Sequence, residues 1–268
     1  MAKGRRQQGK SIAGSNRDQG FETASVVYLG ESVPFNDYSN VAFEDANKPA
    51  RQQTRQGPAE KFSKAGSSVL KRAMDIVLSA AALVFISPLL LCIAVLMKIK
   101  DPGPIFFAQN RIGRDGKEFR CLKFRTMVVD AQERLEALLA TDPIAANEWR
   151  ATQKLTDDPR ITPLGEFLRR SSLDELPQLF NILKGEMSIV GPRPIVRNEA
   201  ARYGDKYDFY LSTRPGLTGL WQISGRSDTS YDERVELDVT YVRDWTVTGD
   251  IKIMAMTVPA VLFSKGAR

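Results

Sequence analysis

The 268-residue chain has no histidine, and its only cysteines are Cys92 and Cys121. Any acid, base, nucleophile or metal ligand must therefore be a carboxylate, lysine, tyrosine or thiol. The two cysteines form no CxxC pair, so neither a zinc site nor a disulfide scaffold is expected. A Walker A loop and a G-x-G-x-x-G fingerprint are also missing; Gly113-Arg114-Asp115-Gly116-Lys117 is too short for the former. The basic stretch Met1–Lys10 leads into no apolar core, so no secretory signal is expected, and the composition describes an intracellular protein.

Basic residues are in excess: 38 Lys plus Arg stand against 32 Asp plus Glu, for a formal charge of +6. That balance suits an anionic partner, whether nucleic acid, anionic lipid or a phosphate-bearing substrate. Residues 1–66 are rich in Gln, Ser, Asn and Gly without helical or strand period, and read as a disordered N-terminal tail. Gly66-Ser67-Ser68 marks the expected boundary with a single domain over 67–268.

From Ala73 to Met97 the chain is apolar except for Asp75, Ser79 and Ser87. At about 1.5 Å per residue this run can cross a hydrocarbon core of about 30 Å. Two features argue against an ordinary span. Basic residues flank both ends, Lys71 and Arg72 before and Lys98 and Lys100 after, and positive charge favours the cytoplasmic side. Ser87-Pro88 interrupts the middle, where proline removes a helical hydrogen bond and the serine hydroxyl can satisfy the freed carbonyl. A re-entrant helix–break–helix over 71–98, entering and leaving on one face, satisfies both.

After the breaker cluster Asp101-Pro102-Gly103-Pro104, the stretch Ile105–Gln109 reads as extended. Arg111, Arg114, Lys117, Arg120, Lys123 and Arg125 follow, and Gly113 and Gly116 predict a turn between two short strands. Such a basic hairpin beside an apolar run suits lipid headgroups or a phosphate substrate. A solvated amphipathic helix is expected from Val128 to about Arg150, and Thr162-Pro163 predicts a cap and a first-turn proline.

The densest chemistry lies in Arg169-Arg170-Ser171-Ser172-Leu173-Asp174-Glu175-Leu176-Pro177. Leu176, Leu179, Phe180 and Leu183 predict one core face of a helix that Gly185 ends. Ser172-x-x-Glu175 fits a capping box, and Asp174 fits an N-cap before Pro177. The same place also fits chemistry. A carboxylate at a helix N-terminus stays ionised, and adjacent acids can divide the work of nucleophile and hard-cation ligand. Phosphoryl transfer requires positioning, a metal and positive charge, for which Arg169, Arg170 and Arg193 are candidates. In Gly191-Pro192-Arg193-Pro194 the prolines restrain one guanidinium, or the segment is only a rigid turn. Trp221 is core or a stacking platform, Tyr231–Trp245 reads as helix, and Ile251–Phe263 reads as an interfacial helix kinked at Pro259.

Taken together, Lys71-Arg72-x-x-Asp75, Ser87-Pro88, Gln109-Asn110-Arg111, Lys123-Phe124-Arg125-Thr126-Met127, Asp158-Pro159-Arg160, Leu173-Asp174-Glu175-Leu176, Gly191-Pro192-Arg193-Pro194 and Arg214-Pro215-Gly216 resemble the monotopic bacterial phosphoglycosyl transferases. The likeness runs from about Lys71 to Lys265 and implies a helix-rich α/β monotopic fold with interfacial helices, on the cytoplasmic face of a bacterial inner membrane. It implies transfer of a hexose-1-phosphate from a UDP-sugar to undecaprenyl phosphate, through a phosphosugar on Asp174 and with release of UMP. Glu175 would hold Mg²⁺ and Arg193 would bind phosphate, with Arg111 and Arg125 among the basic residues serving substrate phosphates. The competing expectations are an anionic-lipid-binding scaffold and a UDP-sugar phosphohydrolase. Nucleic acid is disfavoured by the scarcity of stacking aromatics, and an oligomer is left open.

Overall fold

The computed structural model describes residues 64–224 and 229–262. The expected disordered tail lies outside them except at Lys64–Gly66. Helix α1 (Lys64–Ser67) buries Ala65 and Gly66.

Helix α2 (Val69–Lys100) takes up the whole apolar run; the Ser68 side chain caps it by accepting from the Lys71 amide. The expected break is absent from its secondary structure, which is helical through Pro88. Pro88 cannot donate to the Val84 carbonyl four residues earlier, and the Ser87 hydroxyl donates to that carbonyl instead, at 2.9 Å. Both ends of α2 dock on the rest of the fold. Near its start, Lys71 Nζ donates to Val190 O at 2.9 Å and Asp250 Oδ2 at 2.7 Å. Asp75 Oδ1 accepts from Ser188 Oγ and the Ile189 amide, both at 3.0 Å. Near its end, Ile93 and Met97 pack with Phe124 and Leu168. Phe85, at 86% exposure, and Leu91 project outward from the middle.

The expected hairpin forms from β1 (Phe106–Ile112) and β2 (Glu118–Phe124), antiparallel and in register from Phe106↔Phe124 to Ile112↔Glu118. Its turn contains Gly116 at positive φ and Asp115 in the left-handed region. The helix expected over 128–150 is instead two: α3 (Ala131–Thr141) and α4 (Pro143–Thr152). Pro143 stops the first and opens the second, while Asp142 Oδ1 caps it by accepting from the Ile144 and Ala145 amides. Thr162 and Pro163 start α5 (Pro163–Arg170) as expected, Thr162 Oγ1 accepting from the Gly165 amide at 2.9 Å.

A 3₁₀ turn (Leu173–Glu175) leads to α6 (Gln178–Lys184), which Gly185 terminates at φ 87°. The buried side of α6 comprises Gln178, Leu179, Asn181 and Ile182. Phe180, expected in the core, is exposed and lines an apolar cavity against α2. A second sheet, unanticipated from the sequence, pairs β3 (Ser188–Val190) in parallel with β4 (Gly216–Thr218). Between these strands lie a 3₁₀ segment (Arg197–Lys206) and α7 (Tyr207–Leu211). Helices α8 (Leu220–Ile223), α9 (Tyr231–Arg243) and α10 (Val247–Leu262) close the described chain, with Pro259 inside α10. Lys265 lies outside the described residues.

One buried network ties these pieces together. Asp250, fully buried, receives Lys71 Nζ, Tyr241 Oη at 2.9 Å and Trp245 Nε1 at 2.9 Å. Lys71 is therefore an internal cation rather than a headgroup-facing flank. Arg72 likewise turns inward, donating to Ile182 O at 2.7 Å and Leu183 O at 3.0 Å at the end of α6. Lys98 and Lys100 remain exposed. Lys71→Met would leave Asp250 buried without its cation, and thermal or denaturant unfolding should register a loss of about 3–5 kcal/mol. A double variant Lys71→Met/Asp250→Asn should lose less than the sum of the two single ones.

Candidate active site

Asp174 and Glu175 sit together on the 3₁₀ turn between α5 and α6, and neither serves as a helix cap. Ser172 adopts φ 57°, ψ 16° and its side chain makes no capping bond, so the expected capping box does not form. Helix α6 begins only at Gln178, with Pro177 in the N-cap place. The left-handed backbone at Ser172 costs a non-glycine residue about 1–2 kcal/mol. It turns the chain sharply out of α5 and presents both carboxyls to β2.

Strand β2 meets them with Lys123, whose Nζ donates to Glu175 Oε1 at 2.7 Å and stands 3.9 Å from Asp174 Oδ2. The fit of turn to strand rests on fully buried Asn181, whose side chain accepts from the Leu122 amide at 3.0 Å and donates to Arg120 O at 2.8 Å. On the other side, α5 packs so close to the Lys123–Met127 segment that a Cβ at Gly165 would lie 2.0 Å from Thr126 O. That approach lets Arg169 Nε donate to Thr126 Oγ1 at 2.8 Å, within electrostatic reach of Asp174.

The two acids differ in electrostatics. Burial pushes Asp174 up to about 6; Lys123 and Arg169 oppose the rise and Glu175 adds to it. The expectation of a carboxylate kept acidic by a helix dipole is thus corrected: burial dominates, and Asp174 is still mostly ionised at neutral pH. Burial also works against charge on Glu175, but Lys123, Arg193 and Arg111 hold it below the usual carboxylate range. Cys121, two residues before Lys123 on the same strand face, is buried and its thiol is pushed up to about 11 by desolvation, which disqualifies it as a nucleophile.

Arg193 reaches this group from a loop pinned at both ends. Gly191 N donates to Thr218 O at 2.9 Å and Gly216 N to Pro192 O at 2.8 Å. The Ile112 amide donates to Ile195 O at 2.9 Å, and the Tyr210 hydroxyl bridges Ile195 N and Ile112 O. The loop is a rigid turn and, for the same reason, a fixed mount for one guanidinium. That guanidinium lies 5.3 Å from the Trp221 ring centroid, and Arg234 stacks on the same ring at 5.0 Å. Arg111 donates to Pro194 O at 3.0 Å and Gln109 Oε1 at 2.7 Å, beside Arg193.

Of the expected arginines, the fold gathers Arg111, Arg169 and Arg193 around the acids and sends two elsewhere. Arg125 is buried against the end of α2, donating to Asp101 O at 2.6 Å. Arg170 points to solvent beside Glu166. The Asp158-Pro159-Arg160 motif forms its own bidentate pair at 2.8 and 2.7 Å, and Arg160 stacks on Trp149. Lys123 was not among the expected site residues, although strand alternation with Phe119 and Cys121 was a signal for it.

A hard cation fits this donor set in one respect: adjacent carboxylates are present, and an ammonium already sits against Glu175. No group of three or more His, Cys, Asp or Glu side chains suited to a metal occurs among the described residues. A hard cation bound here would take one or two carboxylates from the protein and its other ligands from water or a bound anion. Lys123→Met should raise the Asp174 titration midpoint clearly above about 6, read by carboxyl ¹³C NMR; Lys123→Arg should leave it nearly in place.

A sequence-family model described as "Bacterial sugar transferase" matches residues 66–264. A Haemophilus influenzae protein called an uncharacterized sugar transferase is 53% identical over 206 residues, which is 77% of this chain and 44% of that protein. The Sinorhizobium fredii exopolysaccharide production protein ExoY is 50% identical over 199 residues, 74% of this chain and 88% of its own. The Salmonella typhimurium undecaprenyl-phosphate galactose phosphotransferase is 52% identical over 206 residues, 77% of this chain and 43% of its own. The chain thus spans under half the length of two of these relatives and most of the third. It belongs to the bacterial sugar transferase family.

Proposed function

We propose that the protein transfers a hexose-1-phosphate from a UDP-sugar to undecaprenyl phosphate, as the membrane-committed step of exopolysaccharide assembly. The observation that carries this reading is the Asp174–Glu175 turn, with Lys123 2.7 Å from one acid and 3.9 Å from the other. The Salmonella relative's name supports the acceptor and the phosphosugar, and the Sinorhizobium name supports the exopolysaccharide setting.

In the proposed chemistry, an Asp174 carboxylate oxygen forms a bond to the β-phosphorus of the donor. The bond from that phosphorus to the bridging oxygen breaks, and UMP departs with the electron pair. A phosphate oxygen of the acceptor then attacks the same phosphorus and expels the Asp174 carboxylate, leaving the sugar on a lipid diphosphate. No proton is gained or lost across the two displacements. Lys123, Arg169, Arg111 and Arg193 orient the diphosphate and offset its charge. Glu175 would hold Mg²⁺, which would supply Lewis-acid screening of that charge, with Lys123 beside Asp174.

The membrane arrangement belongs to the same proposal. Helix α2 is apolar and only 11% of its most apolar window is covered by protein, yet both its ends dock on one folded unit. A bend at Pro88 within the continuous helix would let α2 dip into the cytoplasmic leaflet and return, and α10, with Ile251 and Val258 exposed, would lie at the interface. Between α2 and the catalytic turn lies an apolar cavity of about 530 Å³, lined in part by Leu83, Leu90, Phe124, Pro177 and Phe180. Its closeness to Asp174 through Pro177 supports a membrane-borne acceptor.

Three outcomes test this reading. Wild-type protein should exchange labelled UMP into UDP-sugar without lipid acceptor, and Asp174→Asn should lose that exchange by at least about 10³-fold. A scaffold shows no exchange, and a hydrolase releases free sugar phosphate. Because the ionised form acts, exchange should rise with pH through about 6 and level off above it. Cysteine placed at Ser67 or Lys100 should resist labelling from outside the cell; labelling at one site alone would make α2 a span.

A further inference from the structure

At the far ends of β2 and α6 from the acidic pair, a polar cleft of about 310 Å³ lies between the hairpin turn and the C-terminus of α6. Four of the residues lining it are basic: Arg114, Lys117, Lys184 and Arg214. Arg214 Nε donates to Gly185 O at 2.8 Å, and a Cβ at Gly185 would stand 3.5 Å from Arg72 Nη2, so Arg72 borders the cleft as well. Strand spacing puts Phe119, which lines the cleft, about 13 Å from Lys123. The seven residues of α6 separate the cleft from the catalytic turn by about 10 Å. The cleft is a separate place from the site described above.

Its charge is poorly compensated from within. Two of the three acids at its rim are committed elsewhere: Glu118 pairs with Arg197, and Glu186 accepts from Asn181. Asp115 stands 3.6 Å from Arg114 and is half exposed. Arg72, Lys117, Lys184 and Arg214 form no ion pair with a carboxylate among the described residues. Arg72 and Arg214 instead spend donors on backbone carbonyls at the end of α6. Burial, then repulsion from Arg72 and Arg114, holds the Arg214 guanidinium below its ordinary value. Asp75 and Asp115 offset only part of this repulsion, so the converging guanidiniums favour an external anion, and oxygen-rich anions match their forked donors.

We propose that this cleft is a second phosphate-binding site, distinct from the one that handles the donor diphosphate. Two sources share that chemistry. The cleft borders the first turn of α2, one helical turn before exposed Ile76 and Val77, which suits a phospholipid headgroup at the membrane surface. Free inorganic phosphate is the other source.

The test uses the full chain and the variant Lys117→Glu/Lys184→Glu, which changes two exposed side chains that hold no other element in place. A charge-matched control, Arg134→Glu/Arg150→Glu, sits on α3 and α4. Native mass spectrometry from nanodiscs of mixed phosphatidylglycerol and phosphatidylcholine reads lipid retention. Thermal shift in neutral detergent, with sodium phosphate against sodium chloride at equal ionic strength, reads the free anion. Wild-type protein and control should retain phosphatidylglycerol selectively, and the cleft variant should lose that selectivity by at least about tenfold. Phosphate stabilisation of wild type and control but not of the cleft variant, without lipid selectivity, would also support the site and assign it to the free anion. If cleft variant and control behave alike in both arms, the proposal is overturned. Neither readout depends on sugar transfer, so this result stands apart from the proposed activity.

Discussion

Two neighbouring carboxylates, one of them largely buried, are electrostatically unfavourable unless a cation stands between them, and here that cation is Lys123. At an effective dielectric constant near 20, charges about 4 Å apart interact by about 4 kcal/mol, enough to decide which acids are ionised. Lys123 lies closer to Glu175 than to Asp174, and the asymmetry follows. Glu175 stays firmly anionic while Asp174 is lifted to about 6 by burial. An acid that is ionised at neutral pH yet poorly solvated is a better nucleophile than one stabilised by strong pairing.

The rest of the fold reads as a mounting for that contact. Asn181 clamps α6 to β2, Gly165 lets α5 touch the strand's exit, and Ser172 bends the chain between α5 and the turn. The small β3–β4 sheet fixes the loop that carries Arg193, and Asp250 anchors the start of α2 beside Val190 on that same sheet. Through these links the apolar helix and the acid pair become parts of one rigid assembly. Under the proposed reading, that assembly sets the acids at headgroup depth, where a soluble donor and a membrane-bound acceptor can both reach them.

Much of this was legible in the sequence because it depends on local chemistry. The hairpin, the Thr162–Pro163 helix start, the Gly185 stop and the apolar run follow from turn residues, caps and composition. What escaped depends on contacts distant in sequence. Lys71 and Arg72 look like membrane flanks until Asp250 and the α6 carbonyls, more than a hundred residues away, are seen to bind them. Arg125 and Arg170 share motifs with residues gathered at the candidate site, but the strand and helix faces on which they fall turn them elsewhere. Three-residue strands such as β3 carry too little pattern to read, and the Asp142-Pro143 cap signal is masked by the longer helical run around it.

Under the proposed function, Asp174 becomes bonded to phosphorus. Intact and peptide mass spectrometry of protein quenched after incubation with UDP-sugar alone tests it directly. A single added hexose phosphate is expected on the peptide bearing Asp174, removed when undecaprenyl phosphate is supplied. An unmodified peptide in protein that turns over both substrates at a normal rate would contradict it.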